Sequence, residues 1–398
     1  MTGRTAFLPG PLRAHPARTA VAAGGAAVAL AVAAVLAVGV SHAGTGRSGA
    51  THHGARARLA ASTCSGPAGA AYVSDSGWDG FSAIDTATCQ VIQTYNVGDT
   101  QVPGDPGDYN YASTNEGIAL SGGNLYFADT GTSNVAVIAV SSLDPSNYNP
   151  PETLINVGLF PQDVAVTPDG KQVWVAETGP QTSPSSPSGV SVISTASDKV
   201  SAHLPIGGQP SQVAFSPSGA TAYVVTADGL WLFSTATLKP VGVIHGLGDP
   251  RGIVVSPDGS TLYVTDTQQG TVAVINAATR AVTHMIKVGQ LPWQMAISSD
   301  GQTLYVANPD SDSVSVIDTA ANRVSHTISV TGDPDTLALT PNGQQLWIGQ
   351  STAAFVTVLD TATDTAVGSI NLGGPTPQSG DGYEPTGIAL TSTPTAGS

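Results

Sequence analysis

From residue 70 to residue 392 the chain alternates apolar and polar positions in short runs, and each run ends at a turn signal. The stretch from Pro250 to Gln290 shows the unit most plainly. Gly252-Ile253-Val254-Val255 is apolar and runs into Ser256-Pro257-Asp258-Gly259. Thr261 to Thr265 carries Leu262, Tyr263 and Val264, and a polar loop follows to Gly270. Thr271 to Ile275 alternates, Asn276 to Arg280 turns, and Ala281 to Val288 is the last run. β-branched and aromatic residues suit a pleated surface, and Pro and Gly preset or permit turn dihedrals. The pattern predicts four short strands in about 42 residues.

The unit recurs. An aromatic opens the second strand at Tyr72, Tyr126, Trp174, Tyr223, Tyr263, Tyr305 and Trp347, and a turn glycine precedes it by four residues at Gly170, Gly219, Gly259, Gly301 and Gly343. Third strands recur as Val135–Ile138, Val190–Ile193, Val272–Ile275, Val314–Ile317 and their counterparts, often followed by turns such as Asp318-Thr319-Ala320 and Asp360-Thr361-Ala362. A sheet of four strands cannot bury both faces alone, whereas stacking such sheets about an axis buries them against one another. The predicted fold is therefore all-β, a seven-bladed β-propeller. The first blade lacks a strand before Tyr72, and Pro385-Thr386-Gly387-Ile388-Ala389-Leu390 is such a strand with no blade after it. The C-terminal strand is thus expected to complete the first blade and close the ring.

Leu262-Tyr263-Val264-Thr265-Asp266, Leu304-Tyr305-Val306-Ala307-Asn308, Val314-Ser315-Val316-Ile317-Asp318-Thr319 and Ser256-Pro257-Asp258-Gly259 resemble the YVTN β-propeller repeat family, over residues 70–392. The family is found in bacterial and archaeal surface-layer and exported proteins and is related to lactonase-like seven-bladed propellers. The resemblance implies the fold firmly and the activity hardly at all. Blades two and four depart from the pattern at Ser121-Gly122-Gly123 and Thr226-Ala227-Asp228-Gly229.

Charge divides the chain. Residues 1–63 hold six Arg and no acid, so residues 64–398 carry 7 basic against 28 acidic residues. A body so acidic repels nucleic acid and anionic lipid. Arg4, Arg13 and Arg18 precede an uncharged run from Thr19 to Val40, with small residues for cleavage at Ser41-His42-Ala43. Residues 1–43 are expected to be a signal peptide or a retained signal anchor, and 44–69 a low-complexity linker. The propeller follows over 70–392 and a short tail over 393–398. Secretion or cell-surface display is the expected localisation. Cys64 and Cys89 are expected to pair as a disulfide in an oxidising compartment, and no Cys-x-x-Cys is present to bind haem or zinc in the usual spacing.

Candidate chemistry gathers on one face. First strands begin and second strands end there, so residues just after each proline position would line the channel mouth: Glu116, Gln162, Ser211, Arg251, Trp293, Asp335 and Thr386. Second-strand ends add Asp75, Asp129, Glu177, Asp266, Asn308 and Gln350. Insertions at 98–115, 179–189 and 373–384 fall on the same face, and 141–152 on the other; loops carried by a rigid scaffold commonly bear the binding role. The carboxylates suit a hard cation such as Ca²⁺, or each caps its own turn; metal binding stays open, and no other cofactor is expected. His203, His284 and His326 fall in outer strands, too far apart for one metal. No Gly-x-Ser-x-Gly, phosphate loop or His-Glu-x-x-His occurs. The expected function is non-enzymatic: a binding or scaffold module facing a protein or glycan of the cell envelope, without nucleic acid, and touching the membrane only through an N-terminal anchor. The alternative is a cation-dependent lactonase-like hydrolase using Glu116, Asp129, Glu177 and Asp266.

Overall fold

The computed structural model describes residues 69–75, 80–97, 117–179, 188–372 and 385–391. They form seven four-stranded antiparallel sheets, each made of strands consecutive in sequence save one. Blade 5 is typical, with Pro250–Val255, Thr261–Asp266, Thr271–Asn276 and Val282–Lys287 running from the axis outward. The exception is blade 1, where the C-terminal strand Pro385–Leu390 lies inside Ala70–Asp75, with Tyr72 opposite Ala389 and Val73 opposite Ile388. The ring closes as the sequence predicts.

Burial follows strand position. Second strands have sheet neighbours on both edges and blades on both faces, so Ala70–Asp75 and Gln345–Gln350 are buried throughout. Outer strands keep one free edge, and Val282–Lys287 is exposed at every residue but Ile286. The core is distributed among the blade interfaces. Blades 4 and 5 meet through Val225, Leu230 and Leu232 against Ile253, Leu262 and Ala273, and blades 7 and 1 meet through Trp347 and Val358 against Val73 and Ile84.

The recurring turns have recurring chemistry. Asp318 Oδ1 accepts the backbone N–H of Ala320 and Ala321, both at 3.0 Å, and Asp360 serves Ala362 and Thr363 in the same way. The threonine of each such turn donates to the carbonyl of the blade's turn glycine, Thr319 to Gly301 at 2.6 Å and Thr361 to Gly343 at 2.7 Å. Those glycines have φ near +70°, which a side chain would strain. The insertion between third and outer strands of blade 2 starts on the face opposite the mouth, as expected, but reaches across to blade 1: the Asn96 N–H donates to the Tyr148 carbonyl at 2.8 Å, and Leu143 packs on the cluster containing Phe81 and Tyr95.

The expected export segment, the linker up to residue 68, Cys64, Glu116, the insertions at 98–115 and 373–384 and the tail lie outside the described residues. Cys89 is buried beside Val73 and Ile84.

Candidate functional site

Inner strands leave one edge unpaired along the axis. At their entry most carry an extra residue. In blade 3 Pro161 faces Glu177 and Asp163 faces Ala176, so Gln162 is bulged; Asp335 in blade 7 and Thr386 in blade 1 are bulged likewise, and the blade 5 register slips between Pro250 and Ile253. A bulge re-aims side chains and ends regular alternation. Gln162 and Asp163 thus face the axis together, and Ser211 with Gln212 and Trp293 with Gln294, in blades whose paired inner-strand residues show no register shift, line the same central cavity of about 220 Å³. Of the residues named from sequence, Gln162, Ser211, Arg251, Trp293 and Thr386 lie on its wall. Sequence reasoning missed the second layer, which is Asp163, Gln212, Gln294 and Thr336. Asp335 stands off this wall, which Thr336 and Leu337 form in its blade.

The second layer ties blades together. Asp163 Oδ2 accepts the Val213 N–H of the next blade at 2.9 Å, and Gln212 Oε1 accepts the Ile253 N–H of the blade after at 2.6 Å. Each side chain thus satisfies a donor on the neighbour's open edge. At Gly117 and Gly252 the same position has no side chain because neighbouring backbone fills the space: a Cβ on Gly252 would meet the Trp293 carbonyl. Gln212 Nε2 also reaches Gln294 Oε1 at 3.4 Å. Burial pushes the Asp163 carboxyl up to about 6, against the two backbone N–H groups, of Val213 and Val164, that hold its charged form. At the mouth Arg251 Cζ lies 5.6 Å from the Trp293 ring centre, a cation–π distance, and Arg251 Nε is 3.5 Å from Asp249 Oδ1.

The second-strand ends serve another purpose. Glu177, Asp266 and Asn308 are fully buried, and each holds the segment that crosses from the preceding blade. Glu177 Oε1 accepts the Gly158 N–H at 2.8 Å, Asp266 Oδ1 accepts the Asp249 N–H at 3.2 Å, and Asn308 Oδ1 accepts the Gly289 N–H at 3.1 Å. Gln350 donates to the Thr331 carbonyl in the equivalent place. Asp266 Oδ1 accepts from Gln268 and Gln269 as well, and Asp129 from Thr132. These side chains are latches on their own blades, and none lines the cavity. The signal was present in sequence: a glycine 18 or 19 residues upstream, at Gly158, Gly248, Gly289 and Gly332.

Burial raises the carboxyls of Asp129 and Glu177 above the ordinary carboxylate range. His203 Nδ1 is 3.3 Å from Glu177 Oε2. His203 is exposed on its outer strand and pairs with Ser191, whereas His284 and His326 pair with Val274 and Val316, one step further along the strand. His326 Nε2 reaches Asp364 of blade 7 at 2.8 Å. No group of three or more His, Cys, Asp or Glu side chains fit to hold a metal occurs among the described residues.

Seven closed sheets around a polar channel, with latched crossovers, define a seven-bladed β-propeller with YVTN-like repeats. The YNCE-like beta-propeller family model matches residues 221–345, from the second strand of blade 4 into blade 7. No curated protein matches the chain. Among solved structures, a functionally unknown protein from Desulfotomaculum acetoxidans is 16% identical over 81% of this chain and 98% of its own, with a TM-score of 0.62. Kuenenia stuttgartiensis hydrazine synthase is 18% identical over 78% of this chain and 100% of its own, at 0.61. Dihydro-heme d1 dehydrogenase NirN in complex with DHE is 15% identical over 85% and 77%, at 0.57. At such identities the likeness is one of fold.

Proposed function

We propose that this protein is an exported, non-enzymatic β-propeller that acts as a binding module at the cell surface. The reading is carried by the division of labour between the two sets of mouth residues. Latching occupies Asp129, Glu177 and Asp266, three of the four carboxylates that the hydrolytic alternative would use. Gln162 and Trp293, which do no such latching, line the axial cavity, and the insertions at 98–115 and 373–384 are proposed to work beside them. Residues 1–43 direct export and the linker tethers the ring; the Cys64–Cys89 pair suits that compartment. The acidic body favours a protein or glycan partner over nucleic acid.

The test is an affinity recovery from cell-envelope extracts with the intact chain and with variants lacking 98–115 or 373–384. Recovery of a partner that either deletion abolishes, while the melting temperature holds, supports the reading. Hydrolysis of a lactone by the intact chain that Glu116→Gln removes would replace it with the enzymatic one.

A further inference from the structure

One cation stands at the channel with its hydrogen-bonding capacity unused. Arg251 and Asp163 are the two ionisable side chains among the described residues that line the axial cavity. Asp163 accepts the Val213 N–H and so ties two blades together. The Arg251 side chain donates no hydrogen bond to a described residue, and its Nε is buried without an acceptor. Asp249 Oδ1 lies 3.5 Å from that Nε, beyond the roughly 2.7–3.2 Å of an N–H···O bond. The other carboxylate oxygen, Oδ2, takes the Thr267 hydroxyl at 2.6 Å. A guanidinium presents five N–H groups, and a buried polar group without a partner calls for an explanation.

The backbone beneath this cation is nevertheless held firmly. The Ser211 hydroxyl of blade 4 donates to the Arg251 carbonyl at 3.1 Å. The Thr265 hydroxyl accepts the Gly252 N–H at 2.7 Å and donates to the Trp293 carbonyl at 3.1 Å. That bridge fixes the strand bearing Arg251 against the segment bearing Trp293. The Trp293 ring centre lies 5.6 Å from Arg251 Cζ, where the ring supports the cation, and the Arg251 side chain remains 33% exposed. A planar cation seated on an aromatic ring, with donors to give, suits a carboxylate through paired N–H···O bonds. Size and charge narrow the choice. A cavity of about 220 Å³ is smaller than the ~300–1,000 Å³ of drug-sized ligand sites. Asp163 on the same wall and Asp249 beside Arg251 repel a dianion such as sulfate more than a monoanion.

We propose that the axial cavity binds a small monoanionic carboxylate, whose carboxylate group pairs with Arg251 while Trp293 holds the guanidinium in place. This names the ligand class at the channel end of the looped face and rests on the reading of the propeller as a binding module. A free small acid and the terminal uronic acid of a glycan share the chemistry, and glucuronate tested beside a short oligosaccharide ending in it separates the two.

The experiment is saturation-transfer NMR on the purified full chain with acetate, lactate, glycolate and glucuronate at millimolar concentration. Lactamide and glucose serve as neutral counterparts. Transfer to at least one acid and to neither neutral probe is expected, weakened tenfold or more by Arg251→Gln and less by Arg251→Lys, which keeps the charge. The lactate and lactamide pair reads the need for charge on the parent chain, so the matter is decided even if Arg251→Gln does not fold. Absence of transfer to every acid in the folded protein overturns the proposal. So does equal transfer to lactate and lactamide, transfer that survives Arg251→Gln, or displacement of the acid by sulfate at a concentration below the acid's own. Carboxylate binding without a loop-dependent envelope partner would sink the surface-partner reading and spare the channel; capture of such a partner without carboxylate binding would do the reverse.

Discussion

Asn308 and Asp266 occupy the same place in adjacent blades, and their surroundings set what an exchange of acid and amide costs at each. Around Asn308 the amide nitrogen donates to the carbonyls of Val306 and Ser313, both at 3.2 Å, and to Ser315 Oγ at 3.0 Å, while Oδ1 takes the Gly289 N–H. The residue after it is Pro309, which has no N–H to offer. Around Asp266 the neighbours are donors: the N–H groups of Asp249, Gln268 and Gln269 all reach Oδ1. Acceptors around Asn308 call for an amide, whereas the donors around Asp266 all reach one oxygen, which an acid or an amide supplies.

Asn308→Ala strands the Gly289 N–H and removes the partner of two carbonyls. An orphaned buried donor costs about 1–3 kcal/mol and each further bond about 1 kcal/mol, so a loss of roughly 2–4 kcal/mol is expected. In a ring of this size each kcal/mol lowers the melting temperature by about 2 °C, giving a fall of roughly 4–8 °C by calorimetry at pH 7. Asn308→Asp keeps the volume and the acceptor but turns an oxygen toward two carbonyls, so it should be at least as damaging as alanine. The reciprocal change, Asp266→Asn, keeps Oδ1 for its three donors and loses only charge assistance, roughly 1–2 kcal/mol. The reasoning is refuted if Asn308→Ala melts within 1 °C of the parent, or if Asn308→Asp is the milder of the two changes at that site.

Three other outcomes follow from the geometry. The Asp163 pKa, about 6 when folded, lies above the ordinary aspartate value, so the folded state holds that proton more tightly. Stability from this group is full below pH ~4 and lost as pH rises through 6; the melting temperature of Asp163→Asn minus that of the parent should climb between pH 4 and pH 7, and a flat difference would contradict the shift. Removing residues 385–398 deprives Ala70–Asp75 of its inner partner and exposes a sheet edge, so the truncated chain should melt well below the parent and self-associate by light scattering; unchanged melting would deny the ring closure. If Cys64 and Cys89 are paired, closing a loop of about 25 residues contributes on the order of 3 kcal/mol, and dithiothreitol should lower the melting temperature by several degrees, while thiol titration of the unreduced, denatured chain finds none free.

The propeller was legible because its information is local and repeated. Alternation marks strands, Ser256-Pro257-Asp258-Gly259 and its copies mark hairpins, and the unpartnered Pro385–Leu390 declares the closure. The first layer of the channel was legible by counting from each proline. The second layer was hidden, because strict alternation sends Gln162 and Asp163 to opposite sides and only the bulge brings both to the axis. The latches were half visible: an acid after a strand reads as a cap on its own turn, which Asp129 is, but the bond from Asn308 to Gly289 spans 19 residues and depends on how the crossover folds back.

Sequence variation among the blades now has a physical meaning. Six of the seven second-strand ends, Asp75, Asp129, Glu177, Asp266, Asn308 and Gln350, are carboxyl or carboxamide, and the seventh, Thr226 of blade 4, where the loop is short, donates its hydroxyl to the Gly229 carbonyl of its own turn at 3.0 Å. The inner-strand pairs share no type: Gln162-Asp163, Ser211-Gln212, Arg251-Gly252, Trp293-Gln294, Asp335-Thr336 and Thr386-Gly387. Where the ring demands something of them it demands little, an acceptor for the next blade or a glycine for close approach. A position that a repeat leaves undetermined is one that binding can shape. The recurring carboxyl and carboxamide groups therefore report on how the ring is built, and the dissimilar inner-strand residues are those that a binding role can shape.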